Sequence, residues 1–285
     1  MAAAIQLRRS GLDPLLIERD RMGGLLWNAH WVENYPGFPS GITGPQLVRL
    51  FQEQTRNTGV RCSAETVERV CKVDGEFKVE TRGDPIRSRA VVVTSGTSPR
   101  PLPDNLRRMC GSSPVFYEVK DLPLEKRGHI AILGGGDASF DYALGLAREG
   151  SRVDVCFRSE RPQALSSLVE RIRQEPLVQI RAAVAIEEIR DDLGVTEIGL
   201  SDGTRLKVDA LLVAIGRDRN SGFLDAAMSA DLETDGPHPI PGLTFAGDVR
   251  RGLHRQTAIA VGDGVSAAMH TAAFLTCAPG LSARP

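Results

Sequence analysis

The fold is decided by residues 130–161, which read IAILGGGDASFDYALGLAREGSRVDVCFRSER. An apolar run leads into three glycines, and apolar residues at helical spacing then continue to Gly150, which stands where a helix C-cap is expected. A second apolar run, from Val153 to Phe157, completes a strand–helix–strand unit. The order of these elements predicts an α/β fold with a parallel sheet.

The glycines of this unit have the spacing that is typical of dinucleotide binding. Gly134 permits a tight turn, Gly136 lets the backbone approach a pyrophosphate, and Ser139 is the small third residue that lets helix and strand pack closely. The phosphates would sit on free N–H groups at the helix N-terminus, where the helix dipole favours negative charge. A tight strand–helix turn without a ligand is the alternative. The candidate phosphate-binding residues are Gly134, Gly135, Gly136, Asp137, Ala138 and Ser139.

The end of the second strand selects the nucleotide. An acidic residue there would bind a ribose 2′-hydroxyl, whereas arginine would accept a 2′-phosphate. Arg158, Ser159 and Arg161 favour NADPH, and Glu160 leaves NADH open. The alternative is that both arginines are solvated loop charges.

The composition is that of an ordinary globular protein, with 285 residues of which 41% are hydrophobic and 25% charged. This length suits one large or two medium domains. A net charge of -1 gives no electrostatic argument for binding nucleic acid or an anionic membrane. No apolar run approaches about 18 residues and the N-terminal run is too short for a signal peptide, so we expect no transmembrane helix and a cytoplasmic location.

The five cysteines, Cys62, Cys71, Cys110, Cys156 and Cys277, include no pair with C-x-x-C or zinc-site spacing. Their odd number and wide scatter indicate reduced thiols in a reducing compartment, and no metal site is predicted. Cys156 lies within an apolar strand. Cys110 stands in a segment flanked by Gly, Ser and Pro, where it could be exposed and reactive.

The N-terminal segment resembles the second half of another nucleotide-binding unit. Residues 1–10 are predicted to be helical, and residues 14–18 to form a short strand that ends in Glu18, where a carboxylate would hold an adenosine ribose. No strand and no G-x-G-x-x-G motif precede this helix. Residues 22–39 are rich in Gly, Pro, Asn and aromatic residues, a composition typical of loops that build sites on a rigid scaffold.

Hydrophobic periodicity predicts the remaining elements. Further helices are predicted over residues 44–58, 165–175 and 256–274, and strands over residues 89–94, 178–190, 195–200 and 210–215. Short strands within 60–80 are predicted to turn at Asp74-Gly75, which is a hairpin signal, and residues 101–114 are predicted to be a linker.

A set of motifs runs along almost the whole chain: ENYPG at 33–37, TSGT at 94–97, GGGD at 134–137, AIG at 214–216, AGD at 246–248, RQTA at 255–258 and GDG at 262–264. Jointly they resemble the low-molecular-weight thioredoxin reductase family of two-domain flavoproteins. The resemblance implies two Rossmann-like nucleotide-binding domains, each a three-layer ββα arrangement. The NAD(P)H domain, residues 115–219, would be inserted into a discontinuous FAD domain, residues 1–114 and 220–285.

The resemblance also implies roles for particular residues. Glu18 would bind the adenosine ribose of FAD, and Asp248 would hold a ribityl hydroxyl. Gln256 and Thr257 would place a helix N-terminus at the pyrimidine edge of the flavin, where the helix dipole stabilises the reduced, anionic form. The other residues implied to bind the cofactors are Gly23, Gly24, Asn34, Thr94, Ser95, Gly96, Thr97, Ile215, Gly216, Gly247 and Arg255.

The family's redox-active C-x-x-C pair has no counterpart here. Counted back from Gly134, its positions fall on Glu118 and Asp121, and carboxylates cannot perform thiol–disulfide exchange. Residues 117–122 and 141–144 look more like the thioredoxin-reductase-type ferredoxin–NADP reductases, which lack the pair and pass electrons to an external carrier. Glu118 and Asp121 would be an acid pair near the flavin or solvated hinge residues.

A second departure is the absence of the first strand and pyrophosphate loop of the FAD domain. Residues 15–18 and 91–93 would then lose a shared strand partner. The hypothesis is that the natural protein begins about 15 residues further upstream, the length of a strand and a Gly-rich turn. The intact mass of the protein from its natural source tests it.

Three functions are open at this point. The first is an FAD-dependent NAD(P)H oxidoreductase that passes hydride from NADPH, or less readily NADH, to FAD and on to ferredoxin, flavodoxin or a small acceptor without a protein disulfide. The second is a nucleotide-binding or regulatory module without stable FAD, and the third is a conventional thioredoxin-disulfide reductase. The resemblance further implies a homodimer, and a domain rotation about hinges near residues 101–116 and 217–225.

Overall fold

The computed structural model describes residues 1–192, 195–232, 239–252 and 254–277. Within them, the α-helices are α1 (Ala2–Arg9), α2 (Gly44–Asn57), α3 (Asp104–Met109), α4 (Asp137–Arg148), α5 (Ser166–Arg173), α6 (Ala226–Leu232) and α7 (Thr257–Cys277). The strands are β1 (Leu15–Ile17), β2 (Arg61–Ser63), β3 (Arg69–Val73), β4 (Glu76–Glu80), β5 (Ile86–Ser88), β6 (Val91–Val93), β7 (Thr97–Pro99), β8 (Val115–Phe116), β9 (His129–Leu133), β10 (Arg152–Cys156), β11 (Val178–Arg181), β12 (Ile186–Asp192), β13 (Val195–Leu200), β14 (Arg205–Val208), β15 (Ala210–Val213), β16 (Arg217–Arg219) and β17 (Leu243–Phe245).

The inserted half of the molecule, β8 to β15 with α4 and α5, is built on a five-stranded parallel sheet in the order β11-β10-β9-β15-β8. Alternate side chains of β9 serve two cores. Ile130 and Ile132 pack with α4 and α5, whereas Ala131 and Leu133 pack under the antiparallel sheet β12-β13-β14. Helices on one face and a small sheet on the other give the three layers that were predicted.

The outer half, α1, α2, β1 to β6, α6, β17 and α7, repeats this layering with shorter strands. β1 pairs with β2 and β6 pairs with β17, each in parallel, and the antiparallel sheet β3-β4-β5 adds Phe77 and Val79 to their core. On the other side α1 packs against α7, where Gly264 leaves room for Ala2 and Ala3. Within the described residues no ladder joins β1 to β6, as expected for strands without a shared neighbour. The predicted fold class is therefore confirmed.

Two antiparallel strands connect the halves. β7 pairs with β16, and the N–H of Arg100 donates to the carbonyl of Gly216 at 3.0 Å. Asn220 fastens the same crossing, because its N–H donates to the Gly96 carbonyl and its side-chain amide to the Ser95 carbonyl, both at 3.0 Å. The chain thus passes between the halves beside the predicted hinge residues 217–225.

The prediction of a linker over residues 101–114 is wrong, because this segment contains α3. Leu102, Leu106 and Cys110 recur every four residues, and all three are buried in the core beneath β12-β13-β14. Cys110 is buried and burial raises the pKa of its thiol, which rules out the alternative that it is exposed and reactive.

Other predicted elements hold with shifted boundaries. The hairpin at Asp74-Gly75 is confirmed, and φ values of 53° and 84° there are those of a type I′ turn. The strand predicted over residues 178–190 is two strands, β11 and β12, separated by a bend at which Ala183 has φ 55°. β14 and α6 were not predicted.

The last helix, α7, is long and apolar enough to cross a membrane, with a mean hydropathy of 1.3 over its best 18-residue window. The expectation of no transmembrane helix came from the absence of an uninterrupted apolar run, and it stays a prediction, because α7 reaches this mean hydropathy with Asp263 and His270 within it. Length and composition are the only support for a membrane span, and core helices meet the same test. In the structure α7 packs against α1 and against the 3-10 turn Gly247–Val249, and 22% of the window is buried.

Candidate functional site

The turn between β9 and α4 has the geometry of a phosphate-binding loop. Gly134 has φ 149°, and a Cβ there would lie 2.3 Å from the Ala214 carbonyl oxygen and 2.5 Å from Ser139 Oγ. Only glycine fits, and the small Ser139 lets the helix approach the strand as predicted. No side chain caps α4, and a Cβ on Gly136 would meet nothing within 4 Å. The backbone of the turn is therefore open to a phosphate group.

The segment after β10 folds back over this turn. The N–H of Leu165 donates to Asp137 Oδ1 at 2.7 Å, and the N–H of Gln163 donates to the Gly135 carbonyl at 2.8 Å. Ser139 Oγ is buried without a hydrogen-bond partner among the described residues. Asp137 thus shapes the loop through its hydrogen bond with Leu165, while Gly135 and Gly136 are partly exposed and Ala138 is exposed.

The predicted 2′-phosphate residues lie together on this segment. Arg158, Ser159 and Arg161 are exposed, and Ser159 Oγ donates to the Arg161 carbonyl at 2.7 Å. Neither arginine forms an ion pair within the described part of the chain, so both charges are available to an anion. The segment borders a cavity of about 350 Å³, whose apolar wall consists of Phe157, Pro162, Val169, Ile172, Val178, Ile180 and Ala182.

Residues implied to line a flavin meet although they are distant in sequence. The side-chain amide of Asn34 donates to Gln256 Oε1 at 2.5 Å, which joins the 22–39 loop to the start of α7. Gly24 has φ 53° with open space around it. Gly23, at φ 128°, presses against Val48 and Trp27, so a side chain there would disrupt the loop.

Asp248 has the surroundings expected of a ligand-binding carboxylate. It follows Gly247, which has φ 74° and donates its N–H to Asp263 Oδ2 at 3.2 Å. Asp248 itself has no hydrogen-bond partner among the described residues. Burial raises the pKa of its carboxyl, against the opposing charges of Arg255 and Arg217. A half-buried carboxylate without a protein donor fits the hydroxyl donors of a ribityl chain.

The other predicted residues lie on the rim of the outer half. Glu18 directly follows β1, and its carboxylate accepts the Asp20 N–H at 3.2 Å, so it stands at the strand end where a ribose would be bound. Ser95 Oγ donates to the Asn220 carbonyl at 2.5 Å, and Gly96 has φ 65° with open space around it.

The remaining predicted residues lie close in sequence to the elements already described. Thr94 is exposed beside Ser95, Ile215 and Gly216 lead into β16, and Thr257 begins α7. Asn220, which organises the Ser95 and Gly96 loop, was missed. Its only signal in the sequence was its position in the predicted hinge.

Glu118 and Asp121 have different environments. Glu118 is buried, forms an ion pair with Arg217 at 2.9 Å and accepts a hydrogen bond from the side chain of Asn28. Asp121 is exposed. They are therefore not an acid pair, and the expectation of two solvated hinge residues is wrong for Glu118. Its burial depends on Asn28, 90 residues away, and on Arg217, 99 residues away.

Two further titratable groups lie where α4 meets the 22–39 loop. The N–H of His30 donates to Asp141 Oδ2 at 2.8 Å, and burial raises the pKa of this carboxyl to about 6. The His30 ring contacts Arg148, with Nε2 and Nη1 3.0 Å apart. Burial and the Arg148 charge lower the pKa of His30, which is therefore neutral at physiological pH.

Two α/β halves, one with a complete phosphate-binding loop and the other with a carboxylate at a strand end, define a two-domain dinucleotide-binding oxidoreductase. The model of the family "Pyridine nucleotide-disulphide oxidoreductase" matches residues 1–264, and the chain belongs to that family. The chain is accordingly an enzyme that uses FAD and NADPH.

Relatives of similar length are thioredoxin reductases. The enzyme of Streptomyces coelicolor is 31% identical, with 96% of this chain and 89% of the relative covered. The enzyme of Mycolicibacterium smegmatis is 29% identical, with 96% and 92% covered.

Solved structures agree with this assignment. Lactococcus lactis thioredoxin reductase in the FR conformation superposes with a TM-score of 0.86 at 26% identity, over 96% of this chain and 95% of that one. Streptococcus pyogenes thioredoxin reductase gives 0.58 at 25% identity, over 96% and 94%. Bacillithiol disulfide reductase from Staphylococcus aureus, at 16% identity, gives 0.73 over 98% and 95% and shares the fold.

Proposed function

We propose that this enzyme passes electrons from NADPH through FAD to an external acceptor without a redox-active disulfide of its own. FAD supplies the chemistry, because it accepts a hydride and returns electrons singly or in pairs. The observation that carries the proposal is that none of the five cysteines forms a C-x-x-C pair, and that Glu118, to which the count back from Gly134 assigns the first cysteine, is a buried carboxylate paired with Arg217. A carboxylate cannot exchange with a disulfide.

The inserted half supplies the nicotinamide nucleotide site of this proposal. Backbone N–H groups at the start of α4 bind the pyrophosphate, and the helix dipole adds to their attraction. Arg158, Ser159 and Arg161 bind a 2′-phosphate, which favours NADPH over NADH. The cavity beside Pro162 leaves room for the adenosine end of the nucleotide.

The outer half supplies the flavin site. Glu18 binds the adenosine ribose, and Asp248 accepts hydrogen bonds from the ribityl chain. The start of α7, with Gln256 and Thr257, directs the positive end of a helix dipole at the flavin and stabilises negative charge on it. Gly24, with open space around it, lets the loop approach the ring system closely, and Gly23 lets the same loop pack on Val48 and Trp27.

The acceptor in this proposal is a carrier that needs no thiol exchange, such as a ferredoxin, a flavodoxin or a small molecule. The competing function is thioredoxin-disulfide reduction, which the names of the relatives favour. Steady-state NADPH oxidation separates them. We expect the enzyme to oxidise NADPH when ferricyanide, ferredoxin or flavodoxin is the electron acceptor, and not when thioredoxin is. The Streptomyces coelicolor enzyme is the control that should be active with thioredoxin. NADPH oxidation that depends on thioredoxin, in an assay without ferricyanide, ferredoxin or flavodoxin, contradicts the proposal.

The sequence left a module without stable FAD open, and the family match counts against it, although β1 and β6 are not joined by a strand in the described residues. The absorbance spectrum of the purified protein decides between them. We expect oxidised-flavin bands, either as purified or after FAD is added. A colourless protein that stays colourless with FAD favours the module.

We also propose that the enzyme is a cytoplasmic homodimer. The scattered, unpaired thiols support a reducing compartment. The open side of α7 supports self-association, because one stripe of its exposed residues is small or apolar: Ala258, Gly262, Ser266, Met269 and Ala273. Sedimentation equilibrium tests the dimer. Met269→Glu should shift it toward monomer, and Leu124→Glu, on an exposed residue far from α7, should not.

A further inference from the structure

A buried polar network joins four segments where the halves meet. Glu118 accepts hydrogen bonds from Arg217 Nη1 at 2.9 Å and from the side-chain amide of Asn28. Arg217 also donates through Nε to Thr97 Oγ1 at 2.9 Å and through Nη2 to the Thr97 carbonyl at 2.8 Å. The side-chain oxygen of Asn28 accepts the N–H of Lys120 at 3.0 Å. Both connecting strands and both halves therefore take part.

The network is shielded from water. The side chains of Glu118 and Arg217 are 12% and 18% exposed, and Asn28 and Thr97 are buried. A buried ion pair adds little net stability, because desolvation offsets the attraction, but losing one partner is costly. Such a pair therefore favours the one geometry in which all its donors and acceptors meet. Here that geometry includes residues of both halves and of both connecting strands.

In this arrangement α4 lies against the loop that lines the proposed flavin site. Asp141, one helical turn beyond Asp137, accepts the N–H of His30 at 2.8 Å. Gly145 packs so closely that a Cβ there would lie 3.0 Å from the Cβ of His30. The phosphate-binding end of α4 is thus held beside the loop that contains Gly23 and Gly24.

From this juxtaposition we infer that Glu118 and Arg217 are positioning residues that hold the arrangement in which the nicotinamide is presented to the flavin. The inference rests on the proposed function. It gives the buried carboxylate a task in place of thiol chemistry: the ion pair keeps the halves in the flavin-reducing arrangement. A reductase with an internal disulfide must alternate between an arrangement that brings the nicotinamide to the flavin and one that brings the disulfide to it. A reductase without that disulfide does not need the second arrangement.

A disulfide trap measures this arrangement without catalysis. His30→Cys with Gly145→Cys places two thiols across the boundary. The two Cβ positions are 3.0 Å apart, so a shift of about 0.5–1 Å brings them to the separation of a disulfide, and the thiols can bond only while α4 lies close to the loop. We expect Glu118→Gln, which keeps the shape of the side chain and removes its charge, to slow disulfide formation about tenfold. That is the change in population expected when a hydrogen bond to a charged group is weakened. Arg217→Lys should act in the same direction, because lysine cannot keep the bidentate contacts.

The matched control is Asp121→Asn, which changes an exposed carboxylate three residues away and should leave the trapping rate unchanged. Peptide mass mapping separates the new bond from bonds of the exposed Cys62 and Cys277. Trapping rates that are equal with and without Glu118→Gln and Arg217→Lys overturn the inference, whether or not the protein reduces any acceptor.

Stopped-flow reduction by NADPH supplies the second readout. Glu118→Gln should lower the limiting rate of flavin bleaching about tenfold and change the half-saturating NADPH concentration by less than about twofold. Closing the trap in the same variant should remove most of the difference, which a general loss of folding would not allow. A trapped variant as slow as the untrapped one contradicts the inference. If the parent protein does not bleach at all, the proposed function fails while the trapping rates still test the ion pair.

Discussion

Individual carboxylates of this enzyme differ in what surrounds them, and that difference sets their charge. Asp248 and Asp141 are both partly buried, and burial raises the pKa of each. Asp263 has its pKa lowered instead, because Arg251 donates to both of its oxygens. The two carboxyls with a raised pKa, Asp248 and Asp141, lie in the proposed flavin region. Perturbed pKa values are common at functional sites.

Asp141 gives a prediction about pH. Its pKa in the folded protein is about 6 against an ordinary value of 3.8, so ionising it costs stability. The cost is absent below about pH 4, grows as pH rises to about 6 and is constant above. Asp141→Asn should therefore match the parent near pH 4 and exceed its unfolding free energy by about 1–3 kcal/mol at pH 7.

Urea unfolding at pH 4, 5, 6 and 7 measures this difference. Asp104→Asn is the control, because Asp104 is exposed and paired only at the surface with Arg107. A difference between Asp141→Asn and the parent that does not change with pH shows that Asp141 is not the group that titrates.

The arginines after β10 give a prediction about specificity. Arg158→Ala with Arg161→Ala removes two free positive charges from the proposed 2′-phosphate site, so KM for NADPH should rise about tenfold or more. KM for NADH, which lacks that phosphate, should change by less than about twofold. Arg107→Ala, another exposed arginine, is the control. Equal losses for both nucleotides would mean that the two arginines are ordinary surface charges.

At the scale of elements, the join between α7 and the 22–39 loop is the contact that completes the flavin side. Among the described residues it is made by a hydrogen bond from Asn34 to Gln256 at 2.5 Å, between residues 222 positions apart. The rest of α7 is held by its packing on α1 and by the pairing of Asp263 with Arg251. The start of the helix can therefore be weakened without unfolding its body.

Gln256→Ala should weaken FAD binding about three- to tenfold, which corresponds to one lost hydrogen bond of about 0.5–1.5 kcal/mol. The change in FAD fluorescence during titration of the apoprotein with FAD measures the dissociation constant of FAD. Thr276→Ala is a matched control, because within the described part of the chain the Thr276 hydroxyl bonds to the Ala272 carbonyl, at the other end of α7. Equal FAD affinity in both variants would remove the α7 start from the flavin site.

Elements whose signal is local could be predicted from the sequence. The β9–α4–β10 unit, the type I′ hairpin and α2 each carry their periodicity and turn residues within a few positions. α3 was missed because prolines and glycines around it looked like a linker, although Leu102, Leu106 and Cys110 repeat at helical spacing. The burial of Glu118 had no local signal at all, since only the folded chain brings Asn28 and Arg217 to it.

At the scale of the whole molecule, the two halves meet through polar contacts as well as through the connecting strands. Besides the Glu118 network, Arg171 pairs with Glu33 and Lys120 with Asp20, each between the inserted and the outer half. TM-scores of 0.86 and 0.58 against two thioredoxin reductases, at nearly equal identity and coverage, indicate that whole-chain arrangements differ among such proteins. The contacts between the halves are therefore expected to determine which arrangement of the two halves this enzyme adopts.

The central claim, that electrons leave FAD without passing through a protein disulfide, is tested most directly by the stoichiometry of anaerobic reduction. FAD takes up two electrons, and a disulfide in exchange with it takes up two more. Titration of the FAD-loaded enzyme with NADPH should therefore bleach the flavin completely at about one NADPH per FAD, with no new thiols detected. Bleaching that needs about two NADPH per FAD, with two thiols appearing, would contradict the account.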